Sequence, residues 1–227
     1  MMTGTAALAR FAPALPWQDR AARAGAGLWF LGLSALMLWQ IWIAAQRPPD
    51  VAATASLMSL SCAFLFLATI LCITLLRPRP SAKAPGWRPR VAALLGSYLL
   101  YGLVLLPRGE VGTAPHLVSS ALIACGNGLA LVVLLNLGRS FSIMAEARRL
   151  VTDGPYAIVR HPLYLAEQIG MLGLFVEVAS WEAVIIVAAQ IYFQLQRIRN
   201  EEAVLSASFP EYAAYAGRTA RLIPSLW

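Results

Sequence analysis

Acidic and thiol side chains are scarce in this 227-residue chain, and so is charge of either sign. Eleven Asp and Glu stand against 18 Lys and Arg, charged residues total 13%, and there are two histidines and three cysteines. Soluble domains carry about 25% charged and about 45–50% apolar residues, whereas the apolar share here is 59%. That excludes an ordinary soluble domain and a disordered chain, which need a solvated surface. Cys62, Cys72 and Cys125 lie inside apolar runs without a CxxC, which excludes a disulfide scaffold. Two histidines are too few for zinc without several acidic ligands, so no metal is expected. The thiols are expected free and buried. No signal peptide is expected either, because Arg10, Asp19, Arg20 and Arg23 precede a first apolar run too long for an h-region. An integral membrane protein is what remains.

A helix needs about 20 apolar residues to cross a hydrocarbon core, with a range of about 17–25. Gly27–Ala45, Val51–Leu76, Val91–Pro107 and Leu117–Leu137 supply 19, 26, 17 and 21. Leu163–Gln196 is too long for one span and reads as a hairpin turning near Ala179–Ser180, its first arm beginning around Tyr156. The expected fold is therefore all-α, a polytopic bundle of six transmembrane helices with a C-terminal helical hairpin. Phe209-Pro-Glu-Tyr212 through Pro224 spaces aromatics and arginines as an amphipathic tail folding back over the hairpin's mouth.

Lys and Arg fall on alternate segments. Sixteen of 18 lie before the first run, in Arg77–Arg90, in Gly138–Pro162 or after Gln196, leaving Arg47 and Arg108. Positive charge accumulates on the cytoplasmic side of membrane proteins, so both termini are expected there, with Arg47–Asp50 and Arg108–Glu110 outside. The same distribution assigns the net charge of +7 to topology and contact with anionic lipid, not to nucleic acid. The Pro-rich loop Arg77–Arg90 reads as an extended connector without chemistry of its own.

From Asn136 onward polar groups multiply. Asp153-Gly-Pro-Tyr156 is a turn signal, and Val159-Arg-His-Pro-Leu-Tyr164 follows it. Pro162 suits a first helical turn, and Tyr164, Glu167 and Gln168 would then share a face, with Leu163 and Leu174 towards lipid. Arg160 and His161 could merely meet headgroups. Glu167 is harder to dismiss, because ionisable residues in spans are costly and face a partner or a cavity. Beyond the last span, Arg197-Ile-Arg-Asn-Glu201-Glu202 sets paired acids in a basic rim, where they either neutralise a cationic ligand or pair with nearby arginines.

These pieces, with Leu137-Gly-Arg139-Ser-Phe-Ser142, Leu150-Val-Thr-Asp153 and the tail residues Tyr215, Arg218, Arg221 and Pro224, carry a resemblance. From Leu137 to Pro224 the chain resembles the bacterial branch of the isoprenylcysteine carboxyl methyltransferase family, which is related to membrane phospholipid methyltransferases. Residues 1–136 match only as apolar spans. The resemblance implies a catalytic region at 137–224 and S-adenosylmethionine as cofactor. It further implies a pocket near Tyr156, Arg160, His161 and Tyr164, with Glu201 or Glu202 facing the cationic part of the cofactor and Arg139 near the mouth. One departure is Ala166, where family members commonly have glycine.

A pocket at the inner rim, open to both phases, would bring a cytoplasmic cofactor to a lipidic acceptor in a bacterial inner membrane. A carboxylate acceptor needs an arginine to orient it, and Arg160 is the candidate. An amine acceptor needs a base, and Glu167 or Glu202 would serve. Carboxyl methylation of an isoprenylcysteine-like or other lipid-linked carboxylate is the expected reaction. The alternatives are a phospholipid amine N-methyltransferase, a membrane sterol- or isoprenoid-type reductase, and a non-catalytic membrane structural or assembly protein.

Overall fold

The computed structural model describes residues 16–107 and 112–224. Arg10 and the Arg108–Glu110 link lie outside the described residues. Helix α1 (Pro16–Ala45) starts well before its apolar run, because Asp19 and Arg23 pair one turn apart at 2.8 Å. Helix α2 (Val51–Leu76) is the uncharged run itself. Asp50 caps it by accepting from the Ala53 N–H at 2.6 Å, and Arg77, extended before Pro78, ends it.

The third expected span is broken into α3 (Arg88–Tyr98) and α4 (Tyr101–Val104). The cause lies at Gly96, whose backbone sits against the following long helix. Its carbonyl, which the Leu100 N–H would take in an unbroken helix, accepts from Gln190 Nε2 at 3.0 Å. A Cβ added at Gly96 would come within 3.1 Å of Gln194 Oε1.

Helix α5 (Thr113–Leu137) leads through a short 3-10 turn into the loop that carries Phe141 and Glu146. The hairpin's first arm, α6 (Pro162–Val178), starts six residues later than expected. Tyr156 stands instead in a 3-10 turn, Gly154–Ala157, opened by Gly154 at φ 57. Only glycine fits there, since a Cβ would meet the Asn136 amide at 2.7 Å. The chain reverses at Ala179, in the left-handed region at φ 39, and Ser180 caps α7 (Trp181–Ser208). Helix α8 (Tyr212–Arg218) follows.

Three of these helices, over residues 19–45, 51–76 and 113–140, are long and apolar enough to cross a membrane. The other expected spans are the broken α3–α4, the short α6 and the polar-striped α7. Leucines and tryptophans around α1, among them Leu36, Trp39 and Trp42, stand about half exposed, as lipid-facing surface does.

Packing decides where the site lies. Helix α5 runs against α6 and α2, α1 lies on α2, and α3 lies on α7, whereas α6 and α7 touch only lightly. Close approach of α5 and α6 depends on small residues, since a Cβ at Gly126 would fall 2.4 Å from the Gly170 nitrogen. The arms of the hairpin therefore splay, each fastened to a different partner. The connector after α2 is more than a spacer. Its strand β1 (Ala82–Lys83) pairs antiparallel with β2 (Glu146–Ala147), and Lys83 reaches Glu146 at 2.9 Å.

Two expectations are corrected. Leu163 does not meet lipid but is 4% exposed, in a core with Val133, Leu134 and Ile70, because Pro162 starts the helix with that face turned to α5. Cys72 and Cys125 are exposed and Cys62 half-buried, the apolar runs turning these thiols outward.

Candidate functional site

The splayed hairpin leaves a cleft at the end of the bundle where α2 and α5 finish and α6 begins. It is a space of about 60 Å³ that opens to solvent at its mouth. Phe141, Tyr156, Tyr212 and Tyr215 give it aromatic walls, and Arg148, Arg160, His161, Tyr164, Arg197 and Glu201 give it polar ones.

Each polar group is held from behind. His161 is the cap residue of α6, and its ring stacks on that of Tyr164 at 5.3 Å and 3°. The Tyr164 hydroxyl donates to Glu201 of α7, and the Arg197 guanidinium lies over the Tyr164 ring at 4.5 Å. Tyr215 of α8 donates to the Tyr156 carbonyl at 2.7 Å. Burial pushes the Tyr215 phenol up to about 12, and burial with the nearby Glu201 raises Tyr156 further, so both remain protonated at neutral pH.

The two adjacent glutamates have different tasks. Glu201 lines the cleft. Glu202 does not, and meets three basic side chains from two segments. His161 Nε2 is 3.2 Å away, Arg221 donates at 2.8 and 3.1 Å, and Arg160 Nε stands at 3.5 Å. Burial alone would raise its carboxyl, but His161, Arg221 and Arg160 bring it down to about 2. A carboxylate so engaged is an anchor. The tail reinforces it with main chain, since Arg160 N–H donates to the Ala220 carbonyl at 2.8 Å and His161 N–H to that of Arg221 at 3.1 Å.

Arg148 is fixed in a similar way and left with one hand open. Its Nη2 reaches Glu146 at 2.7 Å and its Nε the Pro78 carbonyl at 2.9 Å. Burial would raise the Glu146 carboxyl, but Arg148, Lys83 and Ser142 hold it below the usual carboxylate range. The Arg148 side chain is 1% exposed, yet its Nη1 has no hydrogen-bond partner among the described residues. A buried unpaired N–H is costly, so this wall is shaped for an anion. A cleft presenting Arg148 on one side and Glu201 on another suits a ligand bearing both signs.

A second cavity, of about 60 Å³, lies across Arg197 and Phe141, which line both spaces. Its other walls are mostly apolar: Phe30, Phe66, Leu67, Ile70, Tyr98 and Tyr101. Glu167 belongs here and not to the cleft. It accepts from Gln194 at 3.1 Å and stands 3.9 Å from Arg197 Nη1. Among the described residues, the buried Arg197 keeps Nε and Nη1 without hydrogen-bond partners.

Of the residues marked in the sequence, the cleft thus brings together Tyr156, Arg160, His161, Tyr164 and Glu201. Arg139 stays outside it, donating to the Leu76 carbonyl at 2.7 Å and tying the end of α5 to that of α2. Arg148 and Arg197 were missed as site residues. The signal for Arg197 was present, because Gln190, Gln194, Arg197 and Glu201 form one helical stripe at i, i+4, i+7 and i+11.

Among curated proteins, 105 residues are 37% identical to the cobalt-zinc-cadmium resistance protein CzcN of Cupriavidus metallidurans, covering 44% of this chain and 48% of that one. The nickel-cobalt-cadmium resistance protein NccN of Alcaligenes xylosoxydans xylosoxydans is 33% identical over 115 residues, 48% of this chain and 53% of its own. The protein-S-isoprenylcysteine O-methyltransferase of Schizosaccharomyces pombe is 33% identical over 106 residues, 44% of this chain and 45% of its own. The chain thus spans about half the length of the curated relatives it matches. Residues 119–207, from within α5 to near the end of α7, match the isoprenylcysteine carboxyl methyltransferase (ICMT) family.

Proposed function

We propose that this chain is a membrane methyltransferase that uses S-adenosylmethionine to methylate the carboxylate of a lipidic acceptor. The observation that carries the reading is the shared wall. Arg197 stands between a polar cleft and an apolar cavity, and its buried Nε and Nη1 have no hydrogen-bond partner among the described residues. A guanidinium with free N–H groups binds a carboxylate well and an ammonium badly.

The residues present fit the cofactor. Arg148 Nη1 would take its carboxylate, Glu201 would face its cationic groups, and the aromatic walls would cover its flat base. When bound, S-adenosylmethionine supplies a methyl group on a positively charged sulfur. The protein's part is alignment and exclusion of water, because a carboxylate is already nucleophilic at neutral pH. Arg197 orients the acceptor oxygen toward the cleft, and the apolar cavity takes the chain attached to it. Tyr164, stacked between His161 and Arg197, fixes the guanidinium and Glu201 together. Glu167 serves this arrangement as a counter-charge beside Arg197. Already engaged by Gln194, it is poorly placed as the free base that amine methylation needs. In the orientation given by the basic residues, the cleft opens to the cytoplasm.

Reconstituted protein with methyl-labelled S-adenosylmethionine is offered farnesylated cysteine or phosphatidylethanolamine in liposomes. Label should enter the carboxylate as a base-labile ester. Label in the amine lipid alone would replace this reading with N-methylation, and failure to bind the cofactor would end both.

A further inference from the structure

Away from the cleft, at the opposite end of the bundle, three helices converge on a serine, a histidine and a glutamate. Ser56 stands in the second turn of α2, His116 in the first turn of α5, and Glu177 in the last turn of α6. The Ser56 hydroxyl is 2.8 Å from His116 Nε2, and His116 Nδ1 is 3.2 Å from Glu177 Oε1. We propose that these residues form a second site, unrelated to methyl transfer, in which Ser56 is a nucleophile toward carboxylic esters of membrane lipids.

The order of the contacts gives each residue its role. A carboxylate at Nδ1 holds the N–H on that nitrogen and leaves Nε2 to accept a proton from the serine. That is the relation by which a nucleophilic serine is recognised whatever the fold. The Ser56 hydroxyl also reaches the Ala52 carbonyl, at 2.9 Å, so its proton has a resting acceptor besides the imidazole. The site is approachable, since the His116 side chain is 30% exposed and Ser56 is half-buried. All three residues sit on regular helices, which hold them in place better than loops. Close by, α5 begins at Gly112 without a side-chain cap. The N–H groups of Thr113 and Ala114 are therefore donors without an intrahelical acceptor, suited to a developing oxyanion.

Depth selects the substrate class. Ser56 lies five residues into α2, about 7–8 Å from its start at the 1.5 Å rise of a helix. Groups at the boundary of headgroups and acyl chains lie about 5–10 Å deep, where glycerolipid esters are found. In the reaction, Ser56 Oγ bonds to the ester carbonyl carbon as its proton passes to His116 Nε2. The bond to the lipid alcohol then breaks, and that oxygen takes the proton. Water attacks the acyl-serine and gives a proton to His116. The fatty acid leaves, and Ser56 recovers its proton.

The test is an alkyl fluorophosphonate applied to the full chain in phospholipid liposomes, with adducts mapped by mass spectrometry. Ser59 and Ser61 of the same helix are internal references, so the native protein alone separates the outcomes. An adduct on Ser56 at least tenfold above both is expected, along with p-nitrophenyl octanoate hydrolysis that Ser56→Ala reduces to background. No adduct on Ser56, equal labelling of the three serines, or hydrolysis unchanged in Ser56→Ala would overturn the proposal and leave the triad an interhelical tie.

Discussion

Helices α1 and α2 and the α6–α8 region obey different rules. The first pair are apolar on most sides, and much of α1 is open to lipid. In the second region charged and polar side chains are paired across segments, Tyr164 with Glu201 and Gln194 with Glu167, and Glu202 alone joins α7 to Arg160, to His161 and to the tail. Lipid tails are as apolar as leucine, so the first pair gains little from exact side-chain identity. The second region is specified pair by pair, because buried charges are costly to leave unmatched. Tolerance to substitution should differ accordingly.

The sharpest test of that contrast is Arg197→Leu. It removes the wall common to both cavities, and turnover with a carboxylate acceptor should fall by about 10²–10³, the range for losing one preorganised donor. Methyl-transfer assays in liposomes measure it, and a change below threefold would break the comparison at its strongest point. Glu202 gives a smaller effect that acid reveals. Its carboxyl is held at about 2 against an ordinary 4.5, so the stabilisation is complete above pH 4.5 and is lost as pH falls toward 2. Each unit is worth about 1.4 kcal/mol, which sets a ceiling of roughly 3.5 kcal/mol. Thermal unfolding across that window should show the loss in the native chain and less of it in Glu202→Gln. At the lower end, Leu36→Val on the exposed face of α1 should change stability by no more than about 0.5 kcal/mol. The same unfolding assay checks it, and a larger loss would mean that α1 meets a protein surface.

How much of this was legible in sequence follows the same division. Val51–Leu76 could be read to the residue, because Asp50 and the Arg77-Pro78 pair mark its ends and nothing polar interrupts it. The break in α3–α4 could not, since it depends on Gln190 reaching the Gly96 carbonyl from 94 residues away. Tyr156, Arg160, His161 and Tyr164, with Glu201 or Glu202, were named as a group only through the family resemblance of their motifs. Distinguishing Glu201 from Glu202 was not, because successive helix positions point about 100° apart and only the position of the tail shows which one it engages. Arg139 looked like a site residue for its place in the motif, but a backbone carbonyl of α2 claims it.

The strap formed by residues 219–221 has a consequence for biosynthesis. The helices that settle into lipid are translated first, whereas Ala220 and Arg221, which fasten Arg160, His161 and Glu202, come after all of them. A nascent chain that has inserted and packed its helices therefore still lacks the fastening of its cleft. The order of synthesis thus sets the docking of residues 219–221 after the emergence of the helices they fasten.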